Sequence, residues 1–68
     1  MKDFEKELLI ILEVDDINDD DVLEEFEEFD SLTILSIIAL VGKMFNKTIS
    51  VQDVKNAKTI GGLKELVK

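Results

Sequence analysis

The apolar and polar residues of the 68-residue chain alternate with the period of α-helices rather than that of strands. The first segment, residues 3–14, gathers its large apolar side chains on one helical face, at Phe4, Leu8, Ile11 and Leu12. Asp3 stands where an N-cap residue is expected. The two acids at positions 15 and 16 predict that this helix ends there.

Residues 31–46 form the most apolar segment of the chain, and its length favours a helix over a strand. A core-facing stripe is predicted at Leu35, Ile38, Val41 and Phe45, with Ile37 widening it. Asn46 is a suitable residue to end the helix.

Two further helices are predicted after residue 46. Ser50 and Asp53 match a capping box, which predicts a short helix from about Val51 to Asn56. Thr59 is placed to cap a last helix whose inward residues are Ile60, Leu63 and either Leu66 or Val67. Two glycines in its first turn, at 61 and 62, cost roughly 1 kcal/mol each relative to alanine. The pattern as a whole predicts an all-α fold, a small four-helix bundle with three longer helices and a short third one, in a single domain over residues 1–68.

The connection between the first two helices, residues 15–30, is long for a small bundle. Apolar residues are spaced along it so that they could pin it to the core, at Ile17, Val22, Phe26 and Phe29. Charge is concentrated in the same region: residues 13–30 contain eleven acids and no lysine, whereas residues 31–68 contain six lysines and two acids. A solvated acidic loop is the ordinary interpretation of such a run.

Composition excludes several functional classes. The chain has no His and no Cys, so it can form neither a Ser-His or Cys-His nucleophile nor a cysteine-ligated metal site. Its net charge of -8 argues against nucleic acid and anionic membrane surfaces as partners. No apolar run approaches the ~18 residues of a membrane span. The first residues contain acids and lack the pattern of a signal peptide, so we expect a cytoplasmic location. We also expect the chain to be a monomer.

The acidic loop contains one arrangement that resembles an EF-hand calcium loop. Asp16, Asn18, Asp20 and Glu27 carry oxygen ligands at roughly the required spacing. The position that should be glycine is Asp21, however, and no second loop is present to pair with it. An acidic calcium-binding or interaction module is therefore kept as the alternative function, and weak, unselective binding of divalent cations is the expected behaviour of the loop.

The tripeptide Asp30-Ser31-Leu32 marks the start of the second helix. A helix N-terminus offers unpaired N–H groups and a positive dipole potential, which suit an anionic group such as a phosphodiester. No acid follows Leu32 in the first turn, so we expect no carboxylate to compete for these donors. Because Ser31 stands where the loop meets the helix, we also expect its hydroxyl to be exposed. The plainer interpretation is that Asp30 and Ser31 only cap the helix.

In its position and surroundings, this tripeptide resembles the attachment motif of the acyl carrier protein family. The resemblance covers nearly the whole chain. Val22 and Phe26, eight and four residues before Asp30, are similar to the anchors of the family's loop. The segments 45–50 and 58–63 are similar to its turn after helix two and its entry into helix four.

The resemblance implies a carrier and not an enzyme. In that family a separate transferase joins 4′-phosphopantetheine from coenzyme A to the motif serine, here Ser31, which Asp30 and Leu32 flank in the motif. The thiol of the arm then carries an acyl group, which could be fatty, polyketide or aminoacyl, between partner enzymes. Partner contacts are predicted around the motif, with Ile34 as an exposed apolar anchor; the predicted set is Glu27, Glu28, Thr33, Ile34 and Ser36.

One departure from the family concerns charge. Typical members place acids along the second helix, where basic patches of partner enzymes dock, but here no acid follows Asp30 within residues 31–46. Glu28 also stands where many members have glycine. Both features favour a dedicated carrier in a specialised biosynthetic pathway over service in the general fatty-acid pathway.

Overall fold

A computed structural model describes residues 2–27 and 29–68 of the chain. The helices are α1 (Lys2–Leu12), α2 (Ser31–Phe45), α3 (Val51–Ala57) and α4 (Ile60–Leu66). This confirms the predicted all-α, four-helix fold. Helix α4 has seven residues, as α3 does, so two helices are long and two are short. Among the described residues, no helix combines the length and apolar character that crossing a bilayer requires.

Side chains that cap the helices fix where three of them begin. The Asp30 carboxylate accepts the Thr33 N–H at α2, and Ser50 and Asp53 form both halves of a capping box at α3. The Thr59 hydroxyl accepts the Gly62 N–H at α4. The prediction that Asp3 caps α1 is wrong, because α1 already includes Lys2. Asp3 lies in the first turn, where its charge still interacts favourably with the helix dipole.

One hydrophobic core joins the four helices and the long loop. Helix α1 contributes Phe4, Leu8 and Leu12, as its periodicity predicts, and Phe4 meets Phe45 of α2 edge to face at 5.3 Å between ring centroids. The other buried apolar residues are Leu23, Ile34, Ile37, Leu40, Val41, Val54, Ile60, Leu63 and Val67. Burying a side chain of this size stabilises the fold by about 1.5–3 kcal/mol.

Helix α2 is rotated about its axis relative to the predicted stripe. Leu35, predicted to be in the core, is 55% exposed, whereas Ile34 and Leu40 are buried. Apolar residues occupy nearly every position of this helix between Leu32 and Val41, so spacing alone cannot decide which of several stripes faces inward. Packing against the neighbouring helices decides it instead.

The long loop is attached to the start of α4 by backbone hydrogen bonds. The Leu23 N–H donates to the Lys58 carbonyl at 2.8 Å, and the N–H groups of Ile60 and Gly61 donate to loop carbonyls at residues 21 and 19. An isolated bridge pairs Val22 with Thr59. Leu23, in a short 3₁₀ turn over Leu23–Glu25, is the buried anchor of the loop, whereas Val22, predicted to be an anchor, is 38% exposed.

An ion pair holds the same part of the loop. The Lys64 ammonium lies 2.6 Å from the Asp19 carboxylate and 3.5 Å from that of Glu5 on α1. The hydrogen bond to Asp19 is the main cause of a raised pKa at Lys64. Lys64 of α4 thereby joins the loop to α1. These ion pairs fix the position of the loop at Asp19, eleven residues before Asp30.

The two glycines of α4 allow two close approaches of backbone. A Cβ on Gly62 would lie 2.8 Å from the Ala57 carbonyl carbon, and one on Gly61 would lie 3.1 Å from the Asp19 oxygen. Real Cβ atoms essentially never come within 3.0 Å of such an atom. The two glycines therefore reduce helix propensity, but they allow the tight turn between α3 and α4 and the close contact of α4 with the loop.

Candidate functional site

Ser31 is the first residue of α2 and its side chain is exposed to solvent. The residue before it, Asp30, has an extended backbone (φ −129°, ψ −171°) and is the N-cap. Its Oδ1 accepts the Thr33 N–H at 3.0 Å, and its carbonyl oxygen accepts the Ile34 N–H at 2.9 Å. Asp30 rather than Ser31 therefore caps the helix, and the serine hydroxyl is not needed for that purpose.

The Asp30 carboxylate is stabilised in its charged form. The backbone N–H of Thr33 is the largest cause of a pKa below the ordinary aspartate value, and the Thr33 side chain acts in the same direction. The expectation that no carboxylate takes a donor of the first turn is thus wrong at Thr33, whose N–H is bound by Asp30. The physical reason is the N-cap geometry, which turns the aspartate side chain back over the helix end.

The surroundings of the Ser31 hydroxyl fit an anionic substituent. No hydrogen bond among the described residues engages this hydroxyl, and it stands at the positive end of a 15-residue helix. Helix α2 contains no acid, and its single charged residue, Lys43, is in the last turn. A phosphodiester on Ser31 would therefore stand next to the Asp30 carboxylate and in the favourable potential of the helix end.

The apolar side chains that are exposed beside Ser31 are Leu32 and Leu35, which are 74% and 55% exposed. Ser36, a predicted contact residue, is exposed next to them on the same helix. These three residues occupy positions i, i+3 and i+4 of a helix, so they share one face. The sequence analysis names Leu32 as part of the motif, but it places Leu35 in the core and so misses Leu35 as a surface residue of the site.

Two of the predicted partner contacts are buried, and this corrects the prediction. Ile34 is 5% exposed and Thr33 is 8% exposed, so Ile34 cannot be an exposed anchor. Phe29 and Ile34 occupy the N′ and N4 positions of α2, the spacing of a hydrophobic staple; Ile34 belongs to the core, and the partly buried Phe29 packs against it. That spacing is the signal in the sequence that identifies Ile34 as buried. Glu27 is exposed, whereas Glu28 lies outside the described residues.

A groove of about 360 Å³ lies on the loop side of the site. It is lined by apolar and charged residues of the loop and of the α3–α4 turn, namely Val22, Leu23, Glu24, Phe29, Lys55, Lys58 and Thr59. Lys55 and Lys58 are exposed here. These two lysines, from α3 and its C-cap, therefore stand beside a loop whose own charged residues are all acidic.

The carboxylates that the structure describes in the acidic loop, which exclude that of Glu28, do not gather around one point. Within residues 2–27 and 29–68, no group of three or more acidic side chains is placed to hold a metal ion. Three of its described acids have other partners: Asp19 binds Lys64, the Asp21 carboxylate accepts the Asn18 N–H at 2.8 Å, and the Asp30 carboxylate accepts the Thr33 N–H.

Comparison with known families gives one match. A family model described as "Phosphopantetheine attachment site" matches residues 5–67, a span that includes all of α2, α3 and α4 and most of α1. Searches of curated proteins and of solved structures find no significant match.

Proposed function

The chain belongs to the family of phosphopantetheine attachment domains, the sites at which 4′-phosphopantetheine is covalently joined to carrier proteins, and from this premise we propose that Ser31 bears the arm. The observation that carries the proposal is the position of Ser31: within the matched span, it is an exposed serine at the first residue of α2 whose hydroxyl takes no part in the cap.

The other described hydroxyls support Ser31 by their surroundings. The hydroxyls of Ser50 and Thr59 accept the capping hydrogen bonds of α3 and α4. Thr33 is buried and hydrogen-bonded to Asp30. The remaining two are Ser36, in the second turn of α2, and Thr48, two residues before the N-cap of α3, so neither is the first residue of a helix. Ser31 is thus the hydroxyl that combines exposure with the electrostatic environment an anionic group prefers.

When bound, the arm supplies a terminal thiol that carries an acyl group as a thioester. The residues of the chain itself provide the attachment point and hold it in position. Ser31 offers its oxygen to the pantetheine-bearing phosphorus of coenzyme A and gives up its proton to the transferase, and the pyrophosphate bond of coenzyme A breaks so that adenosine 3′,5′-bisphosphate leaves. Asp30 keeps the first turn of α2 closed by holding the Thr33 N–H at 3.0 Å. Leu32, 74% exposed, stands beside the bond that forms and can contact the incoming enzyme.

We extend the proposal to the role of the whole chain. Residues 1–68 form one carrier domain that a phosphopantetheinyl transferase modifies and that acyl-loading and acyl-processing enzymes then use. The absence of acids from α2 supports a dedicated pathway, lipid, polyketide or other, over the general fatty-acid pathway. A cytoplasmic location, where coenzyme A is available to the transferase, is part of the same proposal.

Intact-mass spectrometry tests the attachment site. The unmodified protein is incubated with coenzyme A, Mg²⁺ and a broad-specificity phosphopantetheinyl transferase, and we expect one phosphopantetheine per chain. Ser31→Ala should abolish the addition while leaving the far-ultraviolet circular dichroism unchanged, because Asp30 remains the cap. Ser36→Ala, an exposed serine five residues later in α2, is the matched control and should be modified normally. The proposal would be overturned if the transferase modified Ser31→Ala, or if no such transferase modified the native protein.

A further inference from the structure

A cleft of about 340 Å³ lies between α1 and the end of α2. The α1 residues that line it are Asp3, Lys6, Glu7 and Ile10. The last three follow the first by three, four and seven positions, so all four share one face of the helix. Met44 lines the α2 side, thirteen residues after Ser31, which is about 20 Å along a helix. The cleft is therefore a surface separate from the candidate functional site.

A second hollow, of about 480 Å³, adjoins this cleft. It shares Asp3 and Met44 with the cleft and has Phe4 and Phe45 in its wall. At the other end of the α1 stripe Ile10 is 70% exposed, seven residues or about 10 Å from Asp3. One exposed isoleucine is ordinary by itself. Here, however, the side chain and the hollow lie too far apart to meet within one chain, so they are complementary between two copies of it.

The charges that line the cleft and the hollow nearly cancel. They belong to three lysines and two acids, namely Lys2, Lys6, Lys43, Asp3 and Glu7. Their net charge is +1, whereas the whole chain carries -8. Two copies that approached through their acidic loops would repel each other. Approach through the cleft and the hollow avoids that repulsion, so this surface suits a second copy of the same acidic chain.

From these observations we propose that the chain forms a two-fold symmetric dimer, in which the α1 helices of the two copies lie antiparallel and the symmetry axis passes between Lys6 and Glu7. Positions equally far from the axis face each other, so residue 3 faces residue 10 and residue 6 faces residue 7. Ile10 of each copy enters the hollow beside Asp3 of the other copy, and Lys6 of each copy meets Glu7 of the other. The dimer replaces the monomer that the sequence leads us to expect.

The apolar and charged contacts have different roles in this dimer. Burial of Ile10 supplies most of the affinity, because a few buried residues carry most of the energy of an interface. The exposed pairs of Lys6 with Glu7 contribute less affinity and fix the register of the two helices. One helix and the end of another make a small interface, so we expect a Kd on the order of 100 μM. The dimer does not depend on the proposed function, and Ser31 of each copy stays exposed at the far end of α2.

Sedimentation equilibrium of charge variants tests the register. The native chain is measured from about 10 μM to about 1 mM, a range over which it should change from mostly monomer to mostly dimer. Lys6→Glu and Glu7→Lys should each raise Kd by about tenfold, because each makes both charged pairs repulsive. The double variant Lys6→Glu, Glu7→Lys should restore the native Kd, since the pairs form again with their signs exchanged. An equal mixture of the two single variants should associate more tightly than either variant alone.

Net charge alone makes the opposite prediction for one of these variants. Glu7→Lys is less acidic than the native chain, so a fall in general repulsion would strengthen association. The proposed register is overturned if Glu7→Lys dimerises more tightly than the native chain. It is also overturned if the double variant keeps the native circular dichroism spectrum and yet stays as weakly associated as the single variants.

Removal of Ile10 tests the apolar contact. Ile10→Ser should raise Kd by about tenfold without changing the fold, because the side chain is exposed in a single copy. Leu35→Ser is the matched control: Leu35 is an apolar residue of α2 that is 55% exposed and lines neither the cleft nor the hollow, so Kd should not change. A native chain that remains monomeric at about 1 mM, or a dimer that Leu35→Ser dissociates and Ile10→Ser does not, would overturn the proposal.

Discussion

The close approach of α3 to α4 at Gly62 predicts how an alanine there would change stability, and the same substitution can be compared at the other two glycines of the chain. A Cβ on Gly62 would lie 2.8 Å from the Ala57 carbonyl carbon, whereas a Cβ on Gly42 would meet only the Lys47 carbonyl oxygen at 3.8 Å, an ordinary contact. Gly61 is intermediate, at 3.1 Å from the Asp19 oxygen. The same change, Gly→Ala, therefore meets three different amounts of free space.

The magnitude follows from two opposing terms. Replacing a helical glycine by alanine gains up to about 1 kcal/mol in helix propensity, and overpacking a rigid backbone contact costs about 1–3 kcal/mol or more. Gly42→Ala should thus stabilise the protein by about 0.5–1 kcal/mol. Gly61→Ala should fall between the other two variants, because the Asp19 backbone, which the Gly61 N–H and Lys64 hold in place, would have to shift by a few tenths of an ångström. Gly62→Ala should lower the free energy of unfolding by about 2 kcal/mol net, since the new Cβ would meet backbone atoms of Ala57, which α3 holds in place.

Urea unfolding followed by circular dichroism measures these differences directly. A domain of this length has a total stability of roughly 3–10 kcal/mol, so a loss of about 2 kcal/mol at Gly62 should lower the melting temperature by roughly 8–16 °C. An unchanged m-value would assign the effect to the folded state. If Gly62→Ala proved as stable as Gly42→Ala, the close approach of the α3–α4 turn would be refuted, because propensity alone would then explain both variants.

Two further predictions concern charge. Asp30→Ala should lower the melting temperature at pH 7, and the difference from the native chain should shrink as pH falls below about 4, because the folded-state pKa of Asp30 is lowered and its contribution is lost only on protonation; a difference that is constant with pH would contradict the capping role. The melting temperature should also rise with NaCl, and at lower concentrations with Mg²⁺ or Ca²⁺ equally, since the eleven acids of residues 13–30 repel one another. A response to micromolar Ca²⁺ that Mg²⁺ cannot reproduce would instead favour the calcium-loop alternative.

The sequence predicts those features that local chemistry determines. The caps at Asp30, Ser50 and Thr59 each depend on a side chain that binds an N–H of its own helix, so the start of each helix can be read from a few neighbouring residues. The same is true of Asn46, whose left-handed conformation (φ 55°) ends α2. These boundaries also place Ser31 at the first residue of its helix.

Features that depend on packing between distant segments could not be predicted in this way. The rotation of α2, which buries Ile34 and exposes Leu35, results from contacts with the other helices, because the apolar pattern of α2 itself allows both orientations. The one local signal for it lies outside α2, in the spacing of Ile34 from Phe29. The anchor role of Leu23 depends on Lys58, thirty-five positions away, whose carbonyl binds its N–H. The reason for two glycines in α4 is likewise found in Ala57 and Asp19 and not in α4 itself.

The hydrogen bonds between the loop and the start of α4 have a consequence for the order of events during synthesis. The segment that leads to Ser31 takes its shape from carbonyl and N–H groups at residues 58–61, near the opposite end of the chain. A ribosome exposes these residues late, and seven-residue helices such as α3 and α4 are too short to persist by themselves. The nascent chain therefore presents Ser31 on an unformed loop until almost the whole domain has emerged. Under the proposed function, a transferase that recognises the folded segment would act on the finished domain rather than on the growing one.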